Sequence, residues 1–117
     1  MLIMIAGPYR SGTVSDAERA GNLRLLNQAA YEIFRRGHIP IVGVNAALPL
    51  IDVVGEEHYD SIMMPMSLRL ADRCDGVLRL GGDSAGADRE VELIRKRGGQ
   101  IFRDISEIPD ATDRLPG

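Results

Sequence analysis

A glycine-rich segment at residues 81–86 and Glu90, four residues beyond it, carry the chemistry most visible in this sequence. The segment precedes a predicted helix, so its backbone N–H groups and the helix N-terminus can hold an anion. The Ser84 hydroxyl is a further donor, and a phosphate group suits such a loop. The same glycines and serine can equally do no more than turn the chain and cap the helix.

Glu90 is the candidate catalytic carboxylate. Counted from Gly86, it falls in the first turn of the helix, where it is predicted to face a ligand at the sheet edge. The helix N-terminus is expected to keep it ionised, which suits a nucleophile rather than a general acid at neutral pH. Acidic residues are also favoured in first turns by the helix dipole alone, so the spacing leaves both roles open.

A second loop, residues 7–14, is expected at the same edge. Arg10 offers a forked guanidinium that suits a phosphate or a carboxylate, unless it is a solvated loop arginine. Tyr9 places a phenol in the same loop, where packing at the rim is its structural role. The residues predicted to bind substrate are Gly7, Arg10, Ser11, Gly12, Ser84 and Gly86.

Alternating apolar runs and helical patterns must position these two loops. Residues 2–6 are wholly apolar and typical of a strand that is covered on both faces. Ser15 and Glu18 form a capping-box pattern, which predicts a helix from there to Gly37. The next apolar run, residues 39–44, predicts a second strand and therefore a parallel βαβ crossover.

The remainder of the chain continues this alternation. Residues 45–60 are predicted to form a short helix and a mobile loop, and residues 66–73 a helix. Strands are predicted at 77–80 and 100–102, on either side of a helix that ends at the basic cluster 95–97. The tail, residues 106–115, is predicted to add one or two helical turns.

This order predicts a single α/β domain over residues 1–117, of the three-layer α/β/α Rossmann-like (flavodoxin-like) class, with a short parallel sheet of four to five strands. Ligands of such sheets bind beyond the carboxyl ends of the strands, near a switch in strand order. The loops after the first and third strands should meet there.

The composition restricts the possible partners. The chain has 117 residues, 44% of them hydrophobic, and a formal net charge of −3 with no basic stripe, so one core and no nucleic acid partner are expected. Cys74 is the only cysteine, which leaves no intrachain disulfide, and neither histidine lies near it in a metal-ligand spacing. The N-terminal apolar run is too short for a signal peptide, so we expect a cytoplasmic protein without a membrane partner.

Four short motifs, in this order, resemble the nucleoside 2-deoxyribosyltransferase superfamily, which includes the 2′-deoxynucleoside 5′-phosphate N-hydrolases and the DUF4406 domain family. The motifs are Ile-Ala-Gly-Pro-Tyr-Arg at 5–10, Gly-His-Ile-Pro at 37–40, Cys-Asp-Gly at 74–76, and Ser84-x-Gly86-x-x-x-Glu90. The resemblance spans most of the chain.

The resemblance implies roles for individual residues. Glu90 would be the nucleophile or the carboxylate that anchors the ribose, and Tyr9 would orient it. Ser84 and Arg10 would hold a 5′-phosphate, because they match the Ser and the Arg that members acting on nucleoside monophosphates use for it. Members acting on free nucleosides typically carry Asp at the Ser84 position. No organic cofactor or metal is implied, and the family suggests a homodimer or higher homo-oligomer.

One position departs from the family pattern. Relatives usually place an Asp where this chain has Ser67, and that Asp assists the ribose or the leaving group. Asp60 or Asp72 would substitute only if the loop geometry differs. The apolar stretch Met63 to Met66 could form a dimer face, with core filling as the alternative.

The resulting functional expectation is cleavage or transfer at the N-glycosidic bond of a (deoxy)nucleoside 5′-monophosphate through a carboxylate nucleophile. The alternative is a non-catalytic nucleotide-binding or sensing module of the same fold, which the serine at position 67 favours. A dinucleotide-binding domain is disfavoured because the first loop lacks the G-x-G-x-x-G spacing.

Overall fold

The computed structural model describes residues 1–114 and has a four-stranded parallel sheet with helices on both faces. This confirms the predicted α/β class and its four strands. In chain order the elements are β1 (Leu2–Ala6), α1 (Asp16–Arg35), β2 (Ile39–Ile41), α2 (Gly43–Val54), a 3-10 turn (Glu56–His58), α3 (Tyr59–Ala71), β3 (Gly76–Arg79), α4 (Ala85–Lys96), β4 (Gln100–Phe102) and two 3-10 turns (Ile105–Glu107 and Thr112–Arg114).

The strand order is β2-β1-β3-β4, which puts β1 inside the sheet. Met4 of β1 pairs with Ile41 on one side and with Val77 on the other. The chain thus leaves β1 toward one side of the sheet and returns to its other side at β3. This reversal is the switch point, and it brings the loops after β1 and β3 together at the carboxyl edge.

Side chains of β1 alternate between two apolar layers, which explains its unbroken apolar run. Ile3 and Ile5 pack with Leu26 and Ile33 of α1 on one face of the sheet. Met4 and Ala6 pack on the other face, in a cluster that contains residues of α3 and α4: Ala71, Ala87, Val91 and Ile94. Every residue of β1 after Leu2 is at most 2% exposed. A strand with polar residues on one side could not occupy this place.

The start of α1 is as predicted. Ser15 is the N-cap, and its hydroxyl accepts the N–H of Glu18 at 3.1 Å. The Glu18 carboxylate accepts the N–H of Val14 at 3.3 Å, one residue before the cap, so the reciprocal bond of a capping box is displaced by one position. Gly37 follows the helix with a φ of 90°, a conformation that favours glycine.

The region after β2 differs from the prediction. The strand ends at Ile41 instead of residue 44, and α2 begins at Gly43. Residues 45–60 contain no long loop, because Ala47 and Ile51 of α2 pack against Met63 of α3 in a third apolar cluster. This contact stabilises a helix that contains Pro49, so tertiary packing overrides the local signal of the proline. Helix α3 begins seven residues before the predicted helix at 66–73 and ends at Ala71.

The tail packs on the same face of the sheet as α1. Ile108 is 1% exposed and belongs to the same cluster as Phe102. The predicted helical turns of the tail are the two 3-10 turns, and residue 115 lies outside the described residues. None of the helices in residues 1–114 is long and apolar enough to span a membrane.

Candidate functional site

A cavity of about 360 Å³ lies at the carboxyl edge of the sheet, between the loops after β1 and β3 and the helix α3. Its walls come from four parts of the chain. They are Gly7, Tyr9, Arg10 and Ser11 from the first loop, Val44 from α2, Tyr59, Asp60, Met63, Met64 and Ser67 from α3, and Ser84, Gly86, Ala87, Arg89 and Glu90 from the second loop and α4.

The predicted site residues meet in this cavity with one exception. Gly12 does not line it and instead lines a shallow groove beside α1, together with Gly21 and Asn22. Gly12 has a φ of 73° and no heavy atom within 4 Å of an added Cβ. Its contribution is therefore to the turn of the first loop, and the predicted substrate contact of Gly12 is not supported.

Glu90 is the sixth residue of α4, so it lies in the second turn and not in the first as predicted. The acidic residue of the first turn is Asp88. Glu90 is 8% exposed, and no hydrogen bond to its carboxylate occurs within residues 1–114. Because no fully buried side-chain oxygen in that part of the chain lacks a partner, the Glu90 oxygens must be open to the cavity. A buried, unpaired carboxyl group thus faces the space where a ligand would sit.

Burial raises the pKa of Glu90 to about 8, against an ordinary value of 4.5. The positive charge of Arg79 lowers this pKa but does not offset the loss of hydration. The expectation that the helix N-terminus keeps Glu90 ionised is therefore wrong. In the second turn, desolvation outweighs a dipole effect that falls off within the first turn. With this pKa, the Glu90 carboxyl group is mostly neutral at pH 7.

Ser84 has two contacts in the site. It is the N-cap of α4, and its hydroxyl accepts the N–H of Ala87 at 3.2 Å. The Ser11 hydroxyl from the other loop lies 3.5 Å from the Ser84 hydroxyl. The N–H groups of Ala85 and Gly86 have no backbone acceptor within residues 1–114. Two hydroxyls and two free backbone donors consequently meet at the start of α4, as an anion site requires.

Arg79, the last residue of β3, fixes the second loop. Its side chain donates to the carbonyl oxygens of Leu80 and Gly82, the latter at 2.9 Å, and pairs with Asp88 of α4 at 3.1 Å. Sequence reasoning missed this residue. The available signal was a charged side chain at the end of an otherwise apolar run.

The first loop is held by a separate set of bonds. Asn22 of α1 donates to the carbonyl oxygen of Tyr9 at 2.9 Å, and the Thr13 hydroxyl donates to that of Arg10 at 2.6 Å. Gly7 is required at its position, because an added Cβ would lie 2.9 Å from the Leu80 carbonyl oxygen. The two loops therefore contact each other directly where Gly7 lies against Leu80.

Arg10 lies at the mouth of the cavity and is not a free loop arginine. Its guanidinium carbon lies 3.6 Å from the centre of the Tyr59 ring, and its Nη2 lies 3.3 Å from a carboxylate oxygen of Glu56. Burial raises the pKa of the Tyr59 phenol, although the Arg10 charge lowers it, so the ring is un-ionised at neutral pH. Tyr59 was missed because the prediction had placed it in a mobile loop.

Helix α3 forms the wall opposite α4. Ser67 is 4% exposed and lines the cavity, as does Asp60, which lies two helical turns earlier on the same face. Asp72 does not line the cavity and instead lies 3.5 Å from Arg97. Of the two substitutes considered for the aspartate missing at Ser67, only Asp60 is at the site.

The methionines of this helix are core and cavity residues. Met63 is 6% exposed and belongs to the apolar cluster between α2 and α3, and Met66 packs against the same cluster. Met64 lines the cavity, with its sulfur 3.0 Å from the position of a Cβ at Gly86. Core filling is thus confirmed for Met63, whereas a dimer face formed by the rest of this stretch stays a prediction.

The arrangement suits an anionic ligand with an apolar part. Donors from Ser11, Ser84, Arg10 and the start of α4 lie around a wall of methionine, valine and tyrosine, and Glu90 faces the same space. Within residues 1–114, no group of three or more His, Cys, Asp or Glu side chains could hold a metal ion. The chain's own residues thus offer hydrogen bonds, one or two guanidinium charges and a titratable carboxyl group.

Neither a scan against models of known protein families nor a search of curated proteins finds a match for this chain. The resemblance described above therefore rests on the four motifs alone.

Proposed function

We propose that this protein cleaves the N-glycosidic bond of a (deoxy)nucleoside 5′-monophosphate, with water or a second base as the acceptor of the sugar. The observation that carries this proposal is the Glu90 carboxyl group, buried and unpaired yet open to a cavity that Ser11 and Ser84 also line. A carboxyl group in the same cavity as a phosphate cradle suits attack on a sugar that the phosphate holds there. The motif resemblance to nucleoside 2-deoxyribosyltransferases is consistent with this use.

In the proposed complex, the 5′-phosphate binds at the start of α4. It accepts hydrogen bonds from Ser84, Ser11 and the free N–H groups of Ala85 and Gly86, and the Arg10 charge balances it. The base then lies against Met63 and Met64. This orientation places the anomeric carbon of the sugar toward Glu90.

The reaction begins with Glu90 in its ionised form. One carboxylate oxygen forms a bond to the anomeric carbon, and the glycosidic C–N bond breaks with its electron pair going to the base, which takes up a proton. Water or a second base then displaces the carboxylate and completes the reaction. We propose that Asp60 interacts with the base as it leaves. Asp60 lies on the face of α3 that lines the cavity, two helical turns before Ser67.

The test is base release from a panel of ribo- and deoxynucleoside 5′-monophosphates, followed by chromatography. Glu90→Gln should abolish release while binding is retained, and Asp60→Asn should slow it more than Asp72→Asn, whose side chain lies outside the cavity. Because only ionised Glu90 attacks, kcat/KM should rise with pH and level off above about 8. Full turnover by Glu90→Gln would overturn the proposal.

A non-catalytic nucleotide sensor is the second candidate, favoured by the serine at position 67 where relatives carry an aspartate. Such a protein would be stabilised thermally by nucleoside monophosphates without releasing base. The same panel distinguishes the two candidates, because only the enzyme produces free base.

A further inference from the structure

We propose that the Glu56 carboxylate competes with a ligand phosphate for the Arg10 guanidinium, so that the phosphate must displace Glu56 in order to bind. The contact between them is 3.3 Å, at the mouth of the cavity. This inference rests on the proposed function, because it assumes that Arg10 binds the phosphate of the substrate. It assigns to Glu56 a role in setting phosphate affinity that neither the motifs nor the resemblance contains.

The Tyr59 ring makes this competition possible, because it holds the guanidinium in place. Its centre lies 3.6 Å from the Arg10 guanidinium carbon, and Tyr59 itself packs against the apolar cluster between α2 and α3. One face of the guanidinium is thereby covered. Its N–H groups remain for anions, and within residues 1–114 only the Glu56 carboxylate accepts from one of them.

Glu56 is placed to leave readily. Its side chain is 74% exposed, and its bond to Arg10 is its only hydrogen bond within residues 1–114. An exposed ion pair of this kind contributes little free energy, whereas a phosphate with two negative charges attracts the same guanidinium more strongly. Ligand binding should therefore exchange one anion for another, with Arg10 retained on Tyr59.

Glu57 provides a matched control in the same 3-10 turn. It is also 74% exposed, and its carboxylate lies 3.9 Å from the His58 imidazole and makes no ion pair with Arg10 within residues 1–114. Glu56→Gln and Glu57→Gln remove the same charge from neighbouring residues. A difference between the two variants therefore isolates the contact with Arg10 from the general charge of the surface.

The experiment is an NMR titration of the full chain with inorganic phosphate, with a nucleoside 5′-monophosphate, and with the corresponding nucleoside. Glu56→Gln should bind phosphate and monophosphate about two- to fivefold more tightly than wild type, the range expected for losing one exposed ion pair. Glu57→Gln should change affinity by less, and nucleoside affinity should not change. Tyr59→Phe keeps the ring and should bind phosphate like wild type, whereas Tyr59→Leu should bind it more weakly.

Equal effects of Glu56→Gln and Glu57→Gln, or weaker phosphate binding by Glu56→Gln, would overturn the inference. Its failure is distinguishable from failure of the proposed function. If monophosphates are cleaved while the two variants behave alike, only the role of Glu56 is wrong. If Glu56→Gln selectively tightens phosphate binding and no monophosphate releases base, the competition is supported and the cleavage activity is wrong.

Discussion

The Ser84 hydroxyl caps helix α4 and lies 3.5 Å from the Ser11 hydroxyl, so one side chain stabilises a helix and lines the candidate phosphate site. The structural role and the binding role that the sequence left open therefore coincide at Ser84. Two substitutions separate them. Alanine removes both the cap and the donor, whereas aspartate keeps the cap and adds a negative charge.

Ser84→Ala should lower the free energy of unfolding by about 0.5–2 kcal/mol, the usual effect of losing an N-cap side chain, and should weaken monophosphate binding. Ser84→Asp should unfold close to wild type and yet lose monophosphate binding, because its carboxylate repels the phosphate. Urea denaturation followed by circular dichroism, and calorimetric titration with the nucleotide, measure the two effects. Retained nucleotide affinity in Ser84→Asp would contradict a phosphate at this position.

The pKa of Glu90 predicts how stability depends on pH. The folded state holds the Glu90 proton up to about pH 8, whereas the unfolded chain releases it near its ordinary value of 4.5. The folded state thus binds more protons between these values, and the free energy of unfolding should fall as pH rises through that window. One pKa unit corresponds to about 1.4 kcal/mol, so the decline should be measurable by urea denaturation.

Glu90→Gln should lack this decline and should be more stable than wild type at pH 8, because a neutral amide replaces a carboxylate that must ionise within the cavity. Glu92→Gln is the control. It lies on the same helix but pairs with Arg95 at 2.8 Å on the surface, and it should keep the decline. A Glu90→Gln variant with the wild-type pH dependence would show that Glu90 ionises normally in the folded state.

The parts of the fold governed by local pattern could be predicted from the sequence. β1 is buried on both faces, so its apolar run is continuous, and Ser15 caps α1 directly. The segment from Gly43 to Tyr59 was predicted only in part, because its short helix is α2 but the predicted mobile loop is a 3-10 turn and the start of α3. Its helices are stabilised by packing between Ala47, Ile51 and Met63, contacts that become visible only when α2 and α3 lie side by side.

The two loops of the candidate site could also be predicted from the sequence, whereas its Tyr59 could not. Residues of the two loops after β1 and β3 were found because a parallel sheet brings those loops together whatever follows. Tyr59 was not found, because it is the first residue of α3, whose first turns were predicted as a mobile loop. The error at Glu90 has a different cause. The sequence analysis placed Glu90 in the first turn of α4, where the helix dipole would lower its pKa. Glu90 lies in the second turn, where burial dominates and raises its pKa.

A homodimer stays a prediction, and α1 offers a second candidate face for it beside the methionine stretch. Tyr31 and Phe34 on α1 and Ile39 at the start of the edge strand β2 are 61%, 62% and 63% exposed. Asn27, one turn before Tyr31, accepts a hydrogen bond from Asn45 of α2 at 2.6 Å, which shows that this flank of α1 lies toward the β2 edge. Pairing of two such flanks would bury these side chains.

Light scattering at micromolar concentration should give twice the monomer mass for the wild type and the monomer mass for Phe34→Glu. Leu25→Glu is the control, because Leu25 is equally exposed at 62% but lines the groove beside Gly12. A monomeric wild type would contradict the dimer. Dissociation by both variants would contradict the proposed face.

The close approach of Gly86 to Met64 predicts that a side chain at position 86 would reduce the space in the cavity. An added Cβ at Gly86 would lie 3.0 Å from the Met64 sulfur, closer than side chains normally pack, whereas Gly82 in the same loop has no heavy atom within 4 Å. Gly86→Ala should therefore push Met64 into the space proposed for the base and weaken nucleotide binding by up to about tenfold, which corresponds to about 1.4 kcal/mol. Gly82→Ala should bind like wild type, and adding Met64→Ala to Gly86→Ala should restore binding, as a calorimetric double-mutant cycle would measure. Unchanged affinity in Gly86→Ala would show that the nucleotide does not use this wall of the cavity.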